Sequence, residues 1–288
     1  MKRYFAYAAV ALAFFLCTLT YFTCIKRTKG FCYTKIHSRY GYNDRWDFGT
    51  PTKSQEKLLD QIAEQPFSLL GSGKECYAFV SADGEIVVKF FKQKHLRTQY
   101  ILNYLPVPKV IQALRNETLN RHTVKRKALY QSYQIAYERL PEETGVLYLH
   151  LTKTKYLKRA IHIKTPKGKN LTLKLDDMEF MVQKRAYSIF DEIIAHPENG
   201  KKTINSILQL IAKRNKKGIG DNDINCERNL GILEGKAIQI DVGEFYPALP
   251  KQVTKKELRR ATLDLQTFLD ENHPELASYL ESQVNTLL

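Results

Sequence analysis

Carboxylate and amide side chains crowd into residues 220–241 of this chain, where Asp221, Asp223, Asn225 and Asn229 are followed by Asp241. Oxygen donors of this kind suit a hard cation such as Mg2+, which takes a few protein ligands and leaves positions for phosphate oxygens and water. The residues between them say how they would be gathered. Residues 230–233 and 236–240 are short apolar runs of strand character separated by Glu234-Gly235, the pattern of a two-residue hairpin. Closing that hairpin sets its outer ends side by side, so Asp241, which opens Asp241-Val242-Gly243, is expected next to Asn229. Taken alone, an Asp-x-Gly is an ordinary polar turn.

A second stretch, residues 69–92, carries complementary chemistry. Gly71-Ser72-Gly73 ends an apolar run, Tyr77 and Phe79 alternate after it, Asp83-Gly84 makes a hairpin turn, and Lys89 interrupts an apolar strand. Paired glycines let backbone amides approach an anion closely. A lysine inside an apolar strand must reach an anion or snorkel to water.

Together these motifs resemble the protein-kinase-like superfamily, which combines a glycine-rich loop, a strand lysine, a catalytic loop running from Asp to Asn, and an Asp-x-Gly. By that resemblance Gly71, Ser72 and Gly73 form the phosphate-covering loop and Lys89 pairs with phosphates. Asp223 is the catalytic aspartate with Asp221 as its competitor, and Asn229 and Asp241 hold metal. The resemblance implies ATP and Mg2+ as cofactors and phosphate transfer to an acceptor the sequence does not reveal. It also implies an α+β bilobal fold, with an antiparallel sheet in a small lobe and a mainly helical large lobe. The chain departs from the pattern in several places. Cys76 stands for the third glycine, Asp221-Asn222 precedes Asp223 where His-Arg is usual, the step from Asp223 to Asn229 is one residue longer than usual, and Val242 replaces Phe. These departures fit a second reading, an inactive member serving as a membrane-tethered binding module.

Periodicity and turn chemistry outline the elements around these residues. Residues 4–25 carry no charge, long enough as a helix to cross a bilayer. Lys2-Arg3 precedes them, Lys26, Arg27, Lys29 and Lys35 follow, and Tyr4, Tyr7, Tyr21 and Phe22 stand near the two ends. No small-residue cleavage pattern follows, so an uncleaved single-pass anchor with a cytoplasmic main domain is expected. Residues 26–66 read as a polar connection whose basic part either holds anionic headgroups or serves as a passive stop-transfer signal, closing with a helix from near Ser54 that stops at Pro66. Residues 67–182 form the small nucleotide-binding lobe and residues 183–288 the helical lobe.

Within the small lobe, Pro106 and Pro108 precede a long helix over 109–140, with an interruption near Thr123. Glu117 and Glu138 on it are the candidates for the glutamate that, by the resemblance, steadies Lys89; Glu138 adjoins the next strand and is preferred. Strands are expected at 145–151, 160–163, 170–175 and 179–184, with a hinge at 182–185. The helical lobe begins with a helix ended by Pro197, then an amphipathic helix with Ile204, Ile207, Leu208 and Ile211 on one face. Thr254 and Glu257 make a capping-box pattern, and a last helix from Pro274 buries Leu276, Tyr279, Leu280 and Leu287.

At 288 residues the chain can bury a sizeable core. Its 45 Lys and Arg outnumber 30 Asp and Glu, a net charge of +15 that favours anionic partners such as nucleotide phosphates and lipid headgroups. The basic clusters at 121–127, 153–159 and 251–260 come with no nucleic-acid motif and no grouped stacking aromatics, so nucleic acid is not the expected partner. Five cysteines without paired or ligand spacing imply neither a disulfide framework nor a zinc site.

Overall fold

Glycines and prolines punctuate the chain into a mixed α+β protein. The computed structural model describes residues 2–28, 30–38, 40–93 and 108–286. In order, helix α1 (Lys2–Thr28) and α2 (Lys53–Glu64) lead into strands β1 (Pro66–Ser72), β2 (Cys76–Ser81) and β3 (Ile86–Phe91). Helix α3 (Lys109–Arg139), the single turn α4 (Pro141–Thr144) and β4 (Val146–His150) come next, then β5 (Ala160–Lys164), β6 (Asn170–Lys174), β7 (Phe180–Lys184) and β8 (Tyr187–Ser188). After α5 (Ile189–Ala195) and α6 (Gly200–Lys216) follow β9 (Ile219–Asp221), the turn α7 (Cys226–Asn229), β10 (Leu230–Leu233), β11 (Lys236–Gln239) and β12 (Phe245–Pro247). Helices α8 (Lys255–Ala261), α9 (Leu263–Asn272) and α10 (Pro274–Thr286) close the chain. Two compact units result: Met1–Gly84 with Val88–Lys94 and Thr152–Phe180, and Glu85–Val87 with His95–Leu151 and Met181–Leu288.

The first unit is built on a sheet of order β3-β2-β1-β5-β6. β1 runs antiparallel to β2, with a register shift between Leu69 and Gly71, and parallel to β5. Gly84, at φ +81°, turns β2 into β3 where a side chain would be strained. Phe67, Phe79, Phe90 and Phe180 are fully buried. The segment expected as a loose polar connection is instead part of this core. Phe31, Ile36 and Trp46 are buried, and the Phe31 ring meets Tyr77 and Phe79 edge-on at 5.3 and 5.4 Å. Ser38 Oγ donates to the buried Glu179 carboxylate at 2.8 Å. Lys35, read as a headgroup contact, folds back to donate to Gly30 O at 2.6 Å. Spaced apolar residues among polar ones hide such a strap from a pattern search.

α1 contains the stretch expected to be an anchor. Among the described residues no helix is long and apolar enough to cross a membrane. A crossing takes about 20 consecutive apolar residues, and the side chains of 4–6, 8–11, 24 and 25 lie outside those described. The described ones, including Leu12, Phe14, Phe15, Leu19 and Phe22, are exposed.

The second unit has β4 beside β7, a small sheet β11-β10-β8, and the pair β12-β9. α3 is continuous over 31 residues, without the interruption expected near Thr123. Tyr130, Tyr133 and Ala136 bury its second half. α6 buries Ile204, Ile207, Leu208 and Ile211 as its periodicity predicts, in a core with Ile189, Leu230, Leu265 and Leu280. The expected hairpin is present: Leu230 faces Gln239 and Leu233 faces Lys236. Glu234 and Gly235 both take positive φ, 51° and 74°, the geometry that matches strand twist. Thr254 and Glu257 form the capping box. Pro106 and Leu287, also singled out in the sequence, lie outside the described residues.

Candidate functional site

The first unit carries the glycine turn and the strand lysine. Gly71 and Ser72 belong to β1 itself, opposite Ala78 and Tyr77, so the turn is shorter than the motif suggests. Gly73 N donates to Cys76 O at 3.1 Å to close it. A β-carbon on Gly71 would meet nothing within 4 Å, which leaves open space over the turn. Lys89 is half-buried on β3 between buried Val88 and Phe90. The sequence reading missed Lys92. Its Nζ donates to Ser72 Oγ at 2.9 Å and to Gly73 O, and lies 4.2 Å from the centre of the Tyr77 ring. Only the surplus of lysines after β3 hinted at it.

In the second unit the hairpin does what its sequence implies. Asn229 O accepts from Ile240 N at 2.7 Å and Asp241 N at 3.3 Å, which sets Asp241 next to Asn229. Asn229 is buried, and its Nδ2 donates to Asp223 O at 2.6 Å. One residue therefore ties the acidic loop, through its side chain, to the start of Asp-x-Gly, through its backbone carbonyl. Asp223 and Asp241 are exposed, with Asp241 Oδ1 accepting from Gly243 N at 3.2 Å. Ser132 of α3 pins the next residues, donating to Val242 O and accepting from Phe245 N.

Asp221, the rival of Asp223, faces inward. It accepts from Arg214 Nη1 at 2.8 Å, Gln239 Nε2 at 2.6 Å and Asp223 N at 3.0 Å. Arg214 Nη1 also donates to Gln239 Oε1 at 2.5 Å. Arg214, Asp221 and Gln239 are all buried, so α6, β9 and β11 meet in one polar cluster that fixes both ends of the site. Burial pushes the Asp221 carboxyl up from its ordinary value, opposed by Arg214. Burial likewise pushes Arg214 down, opposed by Asp221. Charge in a low-dielectric interior is penalised unless paired, and each is the other's first compensation. Sequence reading had no way to join Arg214 to Asp221 across a glycine turn. The signal was an arginine in a helix face otherwise apolar.

The other singled-out residues have local partners. Glu138 is exposed and accepts from Gln134 Nε2 at 2.9 Å. Glu117 pairs with Arg121 at 2.8 Å. Burial pushes the Cys226 thiol well above its ordinary value, which makes it an inert core cysteine.

The donor set fits a magnesium ion. Asn229 uses its amide nitrogen on Asp223 O, which leaves Oδ1 as an acceptor, and Asp241, joined to Asn229 through the backbone, carries an exposed carboxylate. Both are hard oxygens. Among the described residues no three or more His, Cys, Asp and Glu side chains gather as a cage. A cation here would complete its shell with water or phosphate oxygens.

No protein-family model matches the chain, and no curated protein sequence matches it. Solved structures similar to it include the Rv3197–erythromycin complex from Mycobacterium tuberculosis, at 14% identity and TM-score 0.34, covering 83% of this chain and 58% of that one. The bifunctional kinase–methyltransferase WbdD is similar at 13% identity and TM-score 0.36, covering 74% of this chain and 42% of that one. The streptomycin–ATP–APH(2″)-IIa ternary complex is similar at 12% identity and TM-score 0.29, covering 82% and 87%. The chain thus spans less than two thirds of the length of the first two.

Proposed function

We propose that this chain is a membrane-anchored, kinase-like phosphotransferase that moves a phosphoryl group from ATP to an acceptor hydroxyl. The observation that carries the reading is the junction of Asp223, Asn229 and Asp241, in which one buried asparagine is bonded to both flanking segments. Phosphoryl transfer needs positioning and charge neutralisation more than covalent chemistry from the protein, and this junction supplies fixed oxygens. Asn229 and Asp241 would hold Mg2+, which would supply neutralisation of phosphate charge. Asp223 accepts the proton of the acceptor hydroxyl as its oxygen bonds to phosphorus and the bond to the ADP oxygen breaks. Asp221 is the positioning partner of Asp223 in this reading, because its carboxylate oxygens are already engaged. Gly71, Ser72, Gly73 and Lys89 hold phosphates, and Glu138 is the proposed glutamate that steadies Lys89.

Residues 4–25 anchor the chain in a bilayer, with the main domain cytoplasmic where ATP is supplied. The support is their uncharged sequence and the exposure of the described leucines and phenylalanines of α1, surface that water penalises. Lys26 and Arg27 would then meet anionic headgroups, at about 1 kcal/mol per charge near the surface.

The test is Mg2+-dependent ATP binding by the full chain in detergent, beside Lys89→Ala and Asp241→Ala. Affinity is expected to fall at least about tenfold in both variants. A folded wild type that binds no ATP would overturn the reading. Cys76 in place of a third glycine, and Asp221-Asn222 in place of His-Arg, favour the inactive binding module instead. ATP binding without turnover is the result that reading predicts.

A further inference from the structure

The amino-terminal half of α3 has an unusual surface. Its first turns expose Val110 to 91% and Leu114 to 62%, with Ile111 beside them and Val124 further along. Val110 and Leu114 are four residues apart, so they share one face, and Arg121 and Lys125 continue that face towards the carboxyl end. Between residues 109 and 128 the sequence holds Lys109, Arg115, Arg121, Lys125, Arg126 and Lys127 against Glu117 alone. Glu117 is already taken up by Arg121 at 2.8 Å.

An apolar tip backed by a band of cations matches one partner chemistry well. Aliphatic side chains enter the boundary between headgroups and acyl chains, to a depth of about 5–10 Å, while basic side chains above them meet anionic headgroups. The rise of about 1.5 Å per residue puts Arg121 about 10 Å and Lys127 about 20 Å along the helix from Leu114, so a helix that enters obliquely, with its tip at the acyl boundary, keeps these long basic side chains within reach of the headgroups. A protein partner would need acidic residues around an apolar pocket. A lipid surface supplies both layers at once.

We infer that the first half of α3 is a second membrane contact, in which Val110, Ile111 and Leu114 enter an anionic leaflet and Arg121, Lys125 and Lys127 bind its headgroups. This contact does not depend on phosphotransfer. It would hold the second unit against the lipid surface in addition to the proposed anchor in the first.

Amide hydrogen exchange of the full chain in lipid nanodiscs tests it, comparing phosphatidylglycerol with phosphatidylcholine. Peptides covering residues 109–116 are expected to exchange about tenfold more slowly in the anionic discs. The protection should disappear in Val110→Asp/Leu114→Asp, and should shrink in Lys125→Glu/Lys127→Glu or at high salt. Equal exchange in the two lipids would overturn the inference. So would protection that persists in detergent without lipid, which would mark a protein partner or a second copy of the chain.

Discussion

The two glycine-bearing stretches, one in each compact unit, are built to opposite tolerances. A β-carbon on Gly71 would meet open space, and the turn is held by its own Gly73–Cys76 backbone bond and by the half-exposed Lys92. Over Gly220, beside Asp221, a β-carbon would lie 2.2 Å from Tyr246 Cζ, and the loop is held by the buried cluster of Arg214, Asp221 and Gln239. In the proposed reading the contrast follows from what each stretch would do. Groups that orient reacting oxygens lose efficiency with displacements of about 1 Å, so they sit on a locked frame. A turn that covers phosphates needs backbone amides with nothing above them.

The contrast is sharpest at Arg214. Arg214→Met leaves Asp221 buried without its cation and is expected to destabilise the chain by about 3–5 kcal/mol, read from denaturant unfolding in detergent. A loss below about 1 kcal/mol would mean the cluster is not what holds the loop. Asp241→Ala should act the other way, lowering turnover about 100- to 1,000-fold with an unchanged melting temperature, because the carboxylate is exposed. Gly220→Ala should cost about 1–3 kcal/mol through overpacking against Tyr246, whereas Gly71→Ala stays within about 0.5 kcal/mol and weakens ATP binding instead. Equal stability losses at the two glycines would erase the distinction. Lys92→Ala should raise KM for ATP a few-fold and leave stability within about 0.5 kcal/mol.

The smallest effect concerns a region outside both stretches and serves as a control. The Glu257 carboxyl is held below its ordinary value, first by the hydrogen bond from Lys251 and then by Thr254 N. A depressed acid contributes stability above its unfolded value, about 4.5, and loses it as pH falls through the folded value. Glu257→Gln should therefore cost a few tenths of a kcal/mol at pH 7 and nothing measurable at pH 2. A difference that grows on acidification would contradict the assigned cause.

What the sequence made legible was local. The Glu234-Gly235 turn, the capping box at Thr254 and the apolar face of α6 each depend on residues within one or two turns of chain, and each was readable. The meeting of Asn229 with Asp241 followed because a hairpin converts local pairing into a longer contact. Arg214 with Gln239, Ser132 with Val242, and Lys92 with Ser72 were not readable, because no local rule links their positions. The strap from Phe31 to Trp46 was misread as polar connection for a related reason: its three large apolar residues follow neither period of helix nor strand. Asp221 and Asp223 were equivalent in sequence, and only burial separates them.

Single-turnover consumption of ATP by Asp223→Asn, with the binding affinity for Mg2+-ATP measured on the same preparation, tests the central claim most directly. Wild-type affinity is expected, with consumption slowed about 100-fold or more, the signature of a group that acts on the acceptor after the nucleotide is seated. Consumption at the wild-type rate would contradict it, and the base would have to be sought elsewhere in the loop.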